Sequence, residues 1–273
     1  MAKVIVITSG KGGVGKTTTT SNIGVGLALK GKKVLMIDTD IGLRNLDVVM
    51  GLENRIVYDL VDVVEERCRI AQALIKDKRC SNLCLLPAAQ IRDKNDVNPE
   101  QMKNLIEKLR KDFDYILIDC PAGIEQGFKN AIAAADEAIV VTTPEISAAR
   151  DADRIIGLLE ANDIRSPKLI VNRIKMDMVK AGNMLSVDDM LDILAIELIG
   201  VVPDDENVHL SPEEKTGIIG NLHRLGIRDL NALKEVIGTY KNIVERIEGK
   251  EVPFLNLDVK LGFFDKLKMV FSK

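Results

Sequence analysis

Eight residues, Gly10-Lys11-Gly12-Gly13-Val14-Gly15-Lys16-Thr17, constrain this chain more than any other feature. They follow an apolar, β-branched run at residues 4–8 and precede a stretch compatible with a helix. That is the setting in which G-x-x-x-x-G-K-[ST] forms a phosphate-binding loop. Glycines reach backbone conformations closed to other residues, so successive N–H groups can turn inward around an anion. The positive end of the following helix adds to the attraction. Lys16 is expected to reach the β and γ phosphates of a nucleotide, and Thr17 to offer its hydroxyl to Mg2+.

The remaining pattern agrees with such a start. Residues 34–37, 83–86, 115–118, 138–142, 169–171 and 198–202 are short and apolar nearly throughout. Parallel strands covered on both faces have that character. Helical patterns lie between them. Met102, Leu105, Ile106 and Leu109 share one helical face behind Asn98-Pro99, and Ser186 with Asp189 forms a capping-box pattern. The alternation predicts an α/β fold: a doubly wound, mainly parallel sheet with helices on both faces and right-handed crossovers. Leu230, Leu233, Ile237, Tyr240, Val244 and Ile247 form one apolar stripe on a long helix that should pack on this sheet. The expected organisation is a nucleotide-binding domain over 1–249, a linker over 250–260 containing Pro253, and a separate amphipathic helix over 261–273.

Charge and composition narrow the function. The 38 basic and 41 acidic residues leave a net charge of −3, so no overall field favours nucleic acid and no specific nucleic-acid partner is expected. No apolar run approaches the roughly 18–20 residues of a membrane-spanning helix. The N-terminus lacks a signal-peptide layout, which reads as a cytoplasmic chain. Cys68, Cys80, Cys84 and Cys120 are expected to be reduced thiols. Cys80 and Cys84 have no second pair at zinc-ribbon spacing, and the only histidines, His209 and His223, are distant. A cysteine or histidine metal site is therefore not expected.

Acidic residues complete the nucleotide site. Asp38 and Asp40 close the second strand, and Asp119 follows the 115–118 run. Carboxyl ends of strands line the ligand crevice of such sheets. Asp38 and Asp119 are candidate Mg2+ carboxylates beside Thr17, with Asp119 in the Walker B position and expected to act through water. Pro121-Ala122-Gly123 would form the switch that senses the γ-phosphate.

The second lysine, Lys11, goes beyond a generic phosphate loop. Lys11-Gly12-Gly13-Val14-Gly15-Lys16-Thr17-Thr18 resembles the deviant Walker A loop of the MinD/ParA/nitrogenase-iron-protein ATPases. Asp40-Ile41-Gly42-Leu43-Arg44-Asn45-Leu46-Asp47 is similar to the MinD branch, the division-site-placement ATPases. So are Asp119-Cys120-Pro121-Ala122-Gly123-Ile124-Glu125 and Thr143-Pro144-Glu145 with Arg150-Asp151-Ala152-Asp153-Arg154. The likeness runs from residue 1 to about Val208 and resumes near the C-terminus. It implies an ATP- and Mg2+-dependent ATPase that forms a homodimer on ATP binding, attaches to membrane, recruits the inhibitor MinC and is stimulated by MinE. It also implies that Lys11 crosses to the partner's nucleotide and acts there in trans, completing a catalytic set with Lys16 and Asp40. In it Asp40 positions the attacking water, while Thr18 joins the loop in binding nucleotide. Asn172, Arg173, Pro203 and Asp204 would frame the adenine, and the helix opening near Arg150, with Asp151 and Asp153, would carry the docking surface for MinC and MinE. The chain departs from the pattern over residues 211–230, where a Thr-Asn-x-Gly-Glu-Pro-like stretch is missing. It also lacks a cysteine in Gly123-Ile124-Glu125-Gln126-Gly127-Phe128, which argues against an iron-protein relative holding a cluster there.

On a helix, Phe263, Phe264, Leu267, Val270 and Phe271 fall within roughly 120° of one another, flanked by Lys266 and Lys268. An apolar stripe rimmed by lysines is the signature of a helix lying in a membrane interface, here with anionic lipids as partner. This expectation sets the membrane ATPase ahead of two alternatives. A ParA-like DNA-partitioning ATPase would not need such a tail, and a flagellar-number regulator of the MinD class would usually carry an added N-terminal extension, for which the strand at Val4 leaves no room.

Overall fold

In the computed structural model the described residues are 1–93, 96–204 and 230–254, with 230–235 described by backbone alone. The 261–273 helix, most of the 250–260 linker and all but the last residue of the divergent 211–230 segment lie outside them.

Eight strands form one sheet: β1 (Lys3–Thr8), β2 (Val34–Asp38), β3 (Ile75–Lys76), β4 (Leu83–Leu86), β5 (Tyr115–Asp119), β6 (Glu137–Thr142), β7 (Lys168–Ile174) and β8 (Glu197–Pro203). Their order is β3-β4-β2-β5-β1-β6-β7-β8. Every pairing is parallel except β3 with β4, where Ile75 faces Leu85. That two-residue edge strand is too short to leave a periodic signal in sequence, and it is the one strand the sequence pattern does not reveal. The helices are α1 (Lys16–Leu29), α2 (Leu46–Met50), α3 (Leu60–Val64), α4 (Ile70–Ala73), α5 (Pro99–Leu109), α6 (Gln126–Ile132), α7 (Ile146–Ala161), α8 (Met176–Lys180), α9 (Val187–Leu194) and α10 (Leu230–Ile247).

Strand side chains alternate between two cores, as a period of two requires. Val4, Val6, Leu35, Ile37, Ile116 and Ile118 face a layer containing α5, α6, α7 and α9. Ile5, Ile7, Val34, Met36 and Leu117 face α1, α2 and α10. Met102, Leu105, Ile106 and Leu109 are all buried, on the face their spacing predicts. Asn98 caps α5 by accepting from Gln101 N at 2.9 Å, and Ser186 caps α9 by accepting from Asp189 N at 3.1 Å.

α1 is buried on nearly every side despite its threonines, serine and asparagine. Thr20 donates to Lys16 O at 3.0 Å, Ser21 to Thr18 O at 2.9 Å and Asn22 to Thr18 O at 2.8 Å. These back-bonds satisfy the polar groups within the helix itself, so it can enter the core. Gly24 allows close approach to β2: a Cβ there would stand 2.5 Å from Met36 Sδ.

α10 lies across β8 and α1. Val236 and Ile243 join Ile237, Tyr240, Val244 and Ile247 in its buried face, making it wider than the expected stripe. Gly200 seats it, since a Cβ at that position would be 2.4 Å from Ile243 Cδ1. Beyond α10 the chain turns back. Arg246 donates to Ile199 O at 2.8 Å and Val252 O at 2.9 Å, and its guanidinium lies 3.9 Å from the Phe254 ring centroid.

Tyr240 is fully buried, and its hydroxyl meets Thr19 Oγ1 at 3.1 Å. Burial pushes the phenol up to about 12, so it stays neutral. Tyr240→Phe should cost about 1–2 kcal/mol, because it strands the Thr19 hydroxyl in an apolar interface. Tyr240→Ala should cost about 3–5 kcal/mol through the cavity left behind. Urea unfolding of the two variants checks this, and equal midpoints for wild type and Tyr240→Phe would contradict it.

Candidate nucleotide-binding site

β1 sits between β5 and β6, so the chain leaves it towards β2 on one side while β6 to β8 build out on the other. The crevice at such a switch point lies beyond the carboxyl ends of the strands. The Gly10–Thr17 loop occupies it. Gly13 (φ 76°) and Gly15 (φ 97°) adopt the left-handed conformation that turns amides inward, and Gly15 precedes the first turn of α1.

Three elements brace this loop. Asn172, at the end of β7, donates through Nδ2 to Val14 O at 2.7 Å. A Cβ on Gly15 would come within 2.3 Å of that same nitrogen. A Cβ on Gly10 would stand 2.3 Å from Asp151 O, so the loop rests on the backbone of α7. Ser9, buried at the end of β1, accepts from Lys16 Nζ at 2.9 Å and donates to Lys11 O at 2.7 Å. Lys16 is itself buried, so its ammonium is held within the crevice.

The parallel register of β2 and β5 sets Asp38 opposite Asp119. Burial pushes the Asp38 carboxyl up to about 6. Burial, and next the Asp38 charge, push Asp119 up to about 7. Opposing this, Thr17 and Thr20 hydrogen-bond Asp119, Thr20 Oγ1 at 3.2 Å, and Lys16 attracts it. Two carboxylates that resist ionisation side by side, next to a threonine hydroxyl, are an oxygen donor set suited to a hard divalent cation. Among the described residues no three His, Cys, Asp or Glu side chains gather into a metal site, so a cation here would take its remaining ligands from Thr17, water and phosphate. Thr17, Asp38 and Asp119 therefore fit Mg2+.

Asp38 also closes the loop that follows it. Its Oδ1 accepts from Asp40 N at 2.9 Å, and its Oδ2 from Asn45 N at 3.1 Å and Leu46 N at 3.0 Å. Asp40 thus stands two residues past β2, in that loop and not at the strand end. Pro121, Ala122 and Gly123 (φ 94°) turn one residue after Asp119, past Cys120. Gly127 lets the turn pack on α6, as a Cβ there would be 2.5 Å from Pro121 Cγ, and Ala122 Cβ lies 3.8 Å from where a Gly12 Cβ would be. The switch candidate therefore faces the phosphate loop.

Lys11 leaves this cluster. Its Nζ pairs with Glu145 Oε2 at 3.2 Å, with both side chains about half exposed. Glu145 stands at the N-cap position of α7, which opens at Ile146 and not near Arg150; Arg150, Asp151 and Asp153 all lie on its exposed face. Arg173 sits in a β-bulge with φ 59°, between Asn172 paired to Val202 and Ile174 paired to Pro203. Asp204 accepts from Lys175 Nζ at 3.0 Å. The four candidate adenine residues thus do meet at the ends of β7 and β8, but the Asn172 amide is directed at the loop backbone. Cys120 is buried, its thiol pushed up to about 12 by desolvation, and the other three cysteines are free thiols.

Sequence reasoning missed Ser9, Thr20 and the role of Glu145. Thr20 carried a signal, lying one helical turn from Lys16 on the same face. Ser9 and Glu145 carried none, because their contacts depend on tertiary placement.

The sheet order, the loop after β1 and the paired strand-end carboxylates define a P-loop nucleotide-binding protein with the additional loop lysine of the deviant Walker A class. An AAA domain family model matches residues 2–168. The septum site-determining protein MinD of Synechocystis sp. is 55% identical, covering 94% of this chain and 93% of its own length. Among solved structures, the Aquifex aeolicus MinC:MinD cell division protein complex gives a TM-score of 0.83 at 47% identity, covering 93% of this chain and 99% of the other. Pyrococcus horikoshii septum site-determining protein MinD complexed with Mg-ADP gives 0.77 at 27% identity, covering 91% and 96%. The chain belongs to the MinD family of septum site-determining P-loop ATPases.

If Asn172 braces the loop, Asn172→Ala should weaken ATP and GTP alike, by about tenfold, the loss of one buried hydrogen bond. Calorimetric titration with both nucleotides checks this, and loss confined to ATP would return Asn172 to adenine recognition.

Proposed function

We propose that this protein is a Mg2+-dependent ATPase that dimerises on ATP, attaches to anionic membrane through residues 261–273, recruits MinC and is stimulated and released by MinE. The observation that carries the catalytic part is the separation of its two loop lysines. Lys16 is buried beside Ser9 and Asp119, whereas Lys11 is drawn outward by Glu145. A lysine held away from its own crevice is available to a second copy.

On this reading Lys16 and the loop amides neutralise the β and γ phosphates. Thr17, Asp38 and Asp119 would hold Mg2+, which would supply electrostatic shielding of phosphate charge. Asp40 orients the attacking water, and Lys11 of the second copy stabilises charge that develops in the transition state. The Mg-ADP complex of the Pyrococcus relative supports the metal and nucleotide, and the MinC:MinD complex from Aquifex supports MinC as a partner; the exposed face of α7 as its docking surface rests on the family resemblance. MinE and membrane attachment rest on the family resemblance and on the lysine-rimmed apolar stripe of the tail.

The energetics favour a switch by dimerisation. Five apolar side chains offer roughly 1.5–3 kcal/mol each if fully buried, against about 1–2 kcal/mol per residue to order the backbone. One tail is therefore marginal, and two on a dimer gain avidity because the second encounter is intramolecular.

Lys16→Ala should abolish hydrolysis. Lys11→Ala should lose turnover while monomers still bind nucleotide, and Asp40→Ala should form a long-lived ATP dimer by light scattering. An Asp40→Ala protein that stays monomeric in ATP would reject the water-positioning role. Wild type should pellet with anionic liposomes in ATP and far less in ADP, with binding that falls as salt rises. Phe264→Glu should stop pelleting and leave soluble dimerisation intact. Equal pelleting of wild type and a form lacking residues 261–273 would remove the tail's assignment.

A further inference from the structure

Asp47, in the first turn of α2, has a fully buried carboxylate to which nucleotide binding gives no task. Its partner is Arg44. Arg44 Nε stands 2.9 Å from Asp47 Oδ2, the arginine side chain 18% exposed and that of Asp47 0%. Burial raises the Asp47 carboxyl, and the Arg44 charge is the first of the influences that oppose it. A buried carboxylate with a charged partner is strongly dependent on that partner, since removing it leaves the charge uncompensated.

The pair ends the loop that carries Asp40. Leu43 N donates to Asp40 O at 3.1 Å, and Gly42 N to Ala89 O at 2.9 Å. Asn45 N and Leu46 N are held by Asp38. Arg44 therefore joins the turn that closes on Asp40 to the segment tied to β2. The other side of the loop is open: a cleft of about 600 Å3 lies there, lined by Leu43, Arg92, Glu125 and Gln126 among others, and Leu43 is 64% exposed. The turn is held by backbone hydrogen bonds to Asp38 and Ala89, by Ile41 buried in the core, by Asn45 Nδ2 donating to Leu43 O, and by the Arg44–Asp47 pair, the one ion pair among these tethers.

We propose that Arg44 is a positioning residue for hydrolysis: its ion pair with buried Asp47 holds the Asp40–Leu43 turn where Asp40 can orient water. The inference rests on the reading of Asp40 given above. Phosphate affinity resides in Lys16, Thr17 and the loop amides, none of which touches this pair, so binding and turnover should separate.

The test is steady-state ATP hydrolysis by wild type, Arg44→Gln, Asp47→Asn, the double variant, Arg44→Lys and Asp40→Ala, with a thermal midpoint for each. Arg44→Gln should lower kcat about tenfold, in the range a displaced orienting group costs, with KM for ATP within about twofold. The double variant should recover most of that kcat, because a neutral amide at position 47 no longer needs a charged partner and two amides can bond each other. Arg44→Lys should recover part of it, keeping the charge but losing the planar Nε geometry. Unchanged kcat in Arg44→Gln would overturn the inference. So would a joint fall of kcat, affinity and thermal midpoint that the double variant does not relieve, which marks a merely structural pair. Full turnover by Asp40→Ala would instead overturn the reading on which the inference stands. Loss of turnover in Asp40→Ala with none in Arg44→Gln would overturn the inference alone.

Discussion

Two carboxylates buried next to each other at the ends of neighbouring strands are costly to hold, and much of the structure around the crevice follows from holding them. Asp38 faces Asp119 because β2 and β5 pair in parallel with no bulge between them. Neither can ionise without disturbing the other. Asp38 is supplied with three backbone N–H donors from its own following loop, Asp119 with two hydroxyls and a lysine from α1. Those donors come from the phosphate loop, from the start of α1 and from the Asp40 loop, so the same contacts that tolerate the charges also fix the catalytic elements relative to one another. Two carboxylates that disfavour each other's charge gain most from a divalent cation placed beside both.

The loop itself is rigid for a complementary reason. Its conformation needs positive φ at Gly13 and Gly15, and such backbone persists where neighbours over-determine it. Asn172, the backbone of α7 at Asp151, and Ser9 supply that constraint from three directions. One consequence is that α7, whose outer face bears Arg150, Asp151 and Asp153, shares a backbone contact with Gly10 while its N-cap residue holds Lys11. The surface read as a docking face and the lysine read as acting in trans belong to one packed unit.

How much of this was legible in sequence depended on the range of the interactions concerned. The strands were legible because parallel strands covered on both faces are uniformly apolar, and α5 and α9 because their caps are local hydrogen bonds written in adjacent residues. The phosphate loop was legible because glycine and lysine at fixed spacing do one thing well. β3 was not, being two residues long and set by tertiary contacts: its pairing with β4, the burial of Ile75 and a hydrogen bond from Arg55 to Lys76 O. Val236 and Ile243 escaped the α10 stripe because β8 and α1 together cover a wider arc than one contact would. Asn172 stands with the other adenine candidates at the ends of β7 and β8, but its amide turns to Val14, and only the tertiary structure decides which way a side chain at a strand end points. Arg44 and Asp47 show no task in the sequence, since a pair three residues apart on either side of a helix start looks like an ordinary surface ion pair until burial is known.

The position of α10 bears on how a nucleotide could govern the tail. Lys30 and Lys32, just before β2, pair with Glu248 at the end of α10. The last described residues, 250–254, are held there by Arg246 through Val252 and Phe254. That end of the molecule adjoins the amino ends of the strands, whereas the phosphate loop lies at their carboxyl ends. The chain leading to the tail therefore departs from the side of the sheet opposite the nucleotide. A change relayed through α10 would have to move a helix keyed into Gly200 and bonded from Tyr240 to Thr19. Changing the number of tails per particle needs no such movement. On the proposed reading, ATP alters membrane affinity by joining two copies at their crevices, and each tail keeps the same weak affinity in both states.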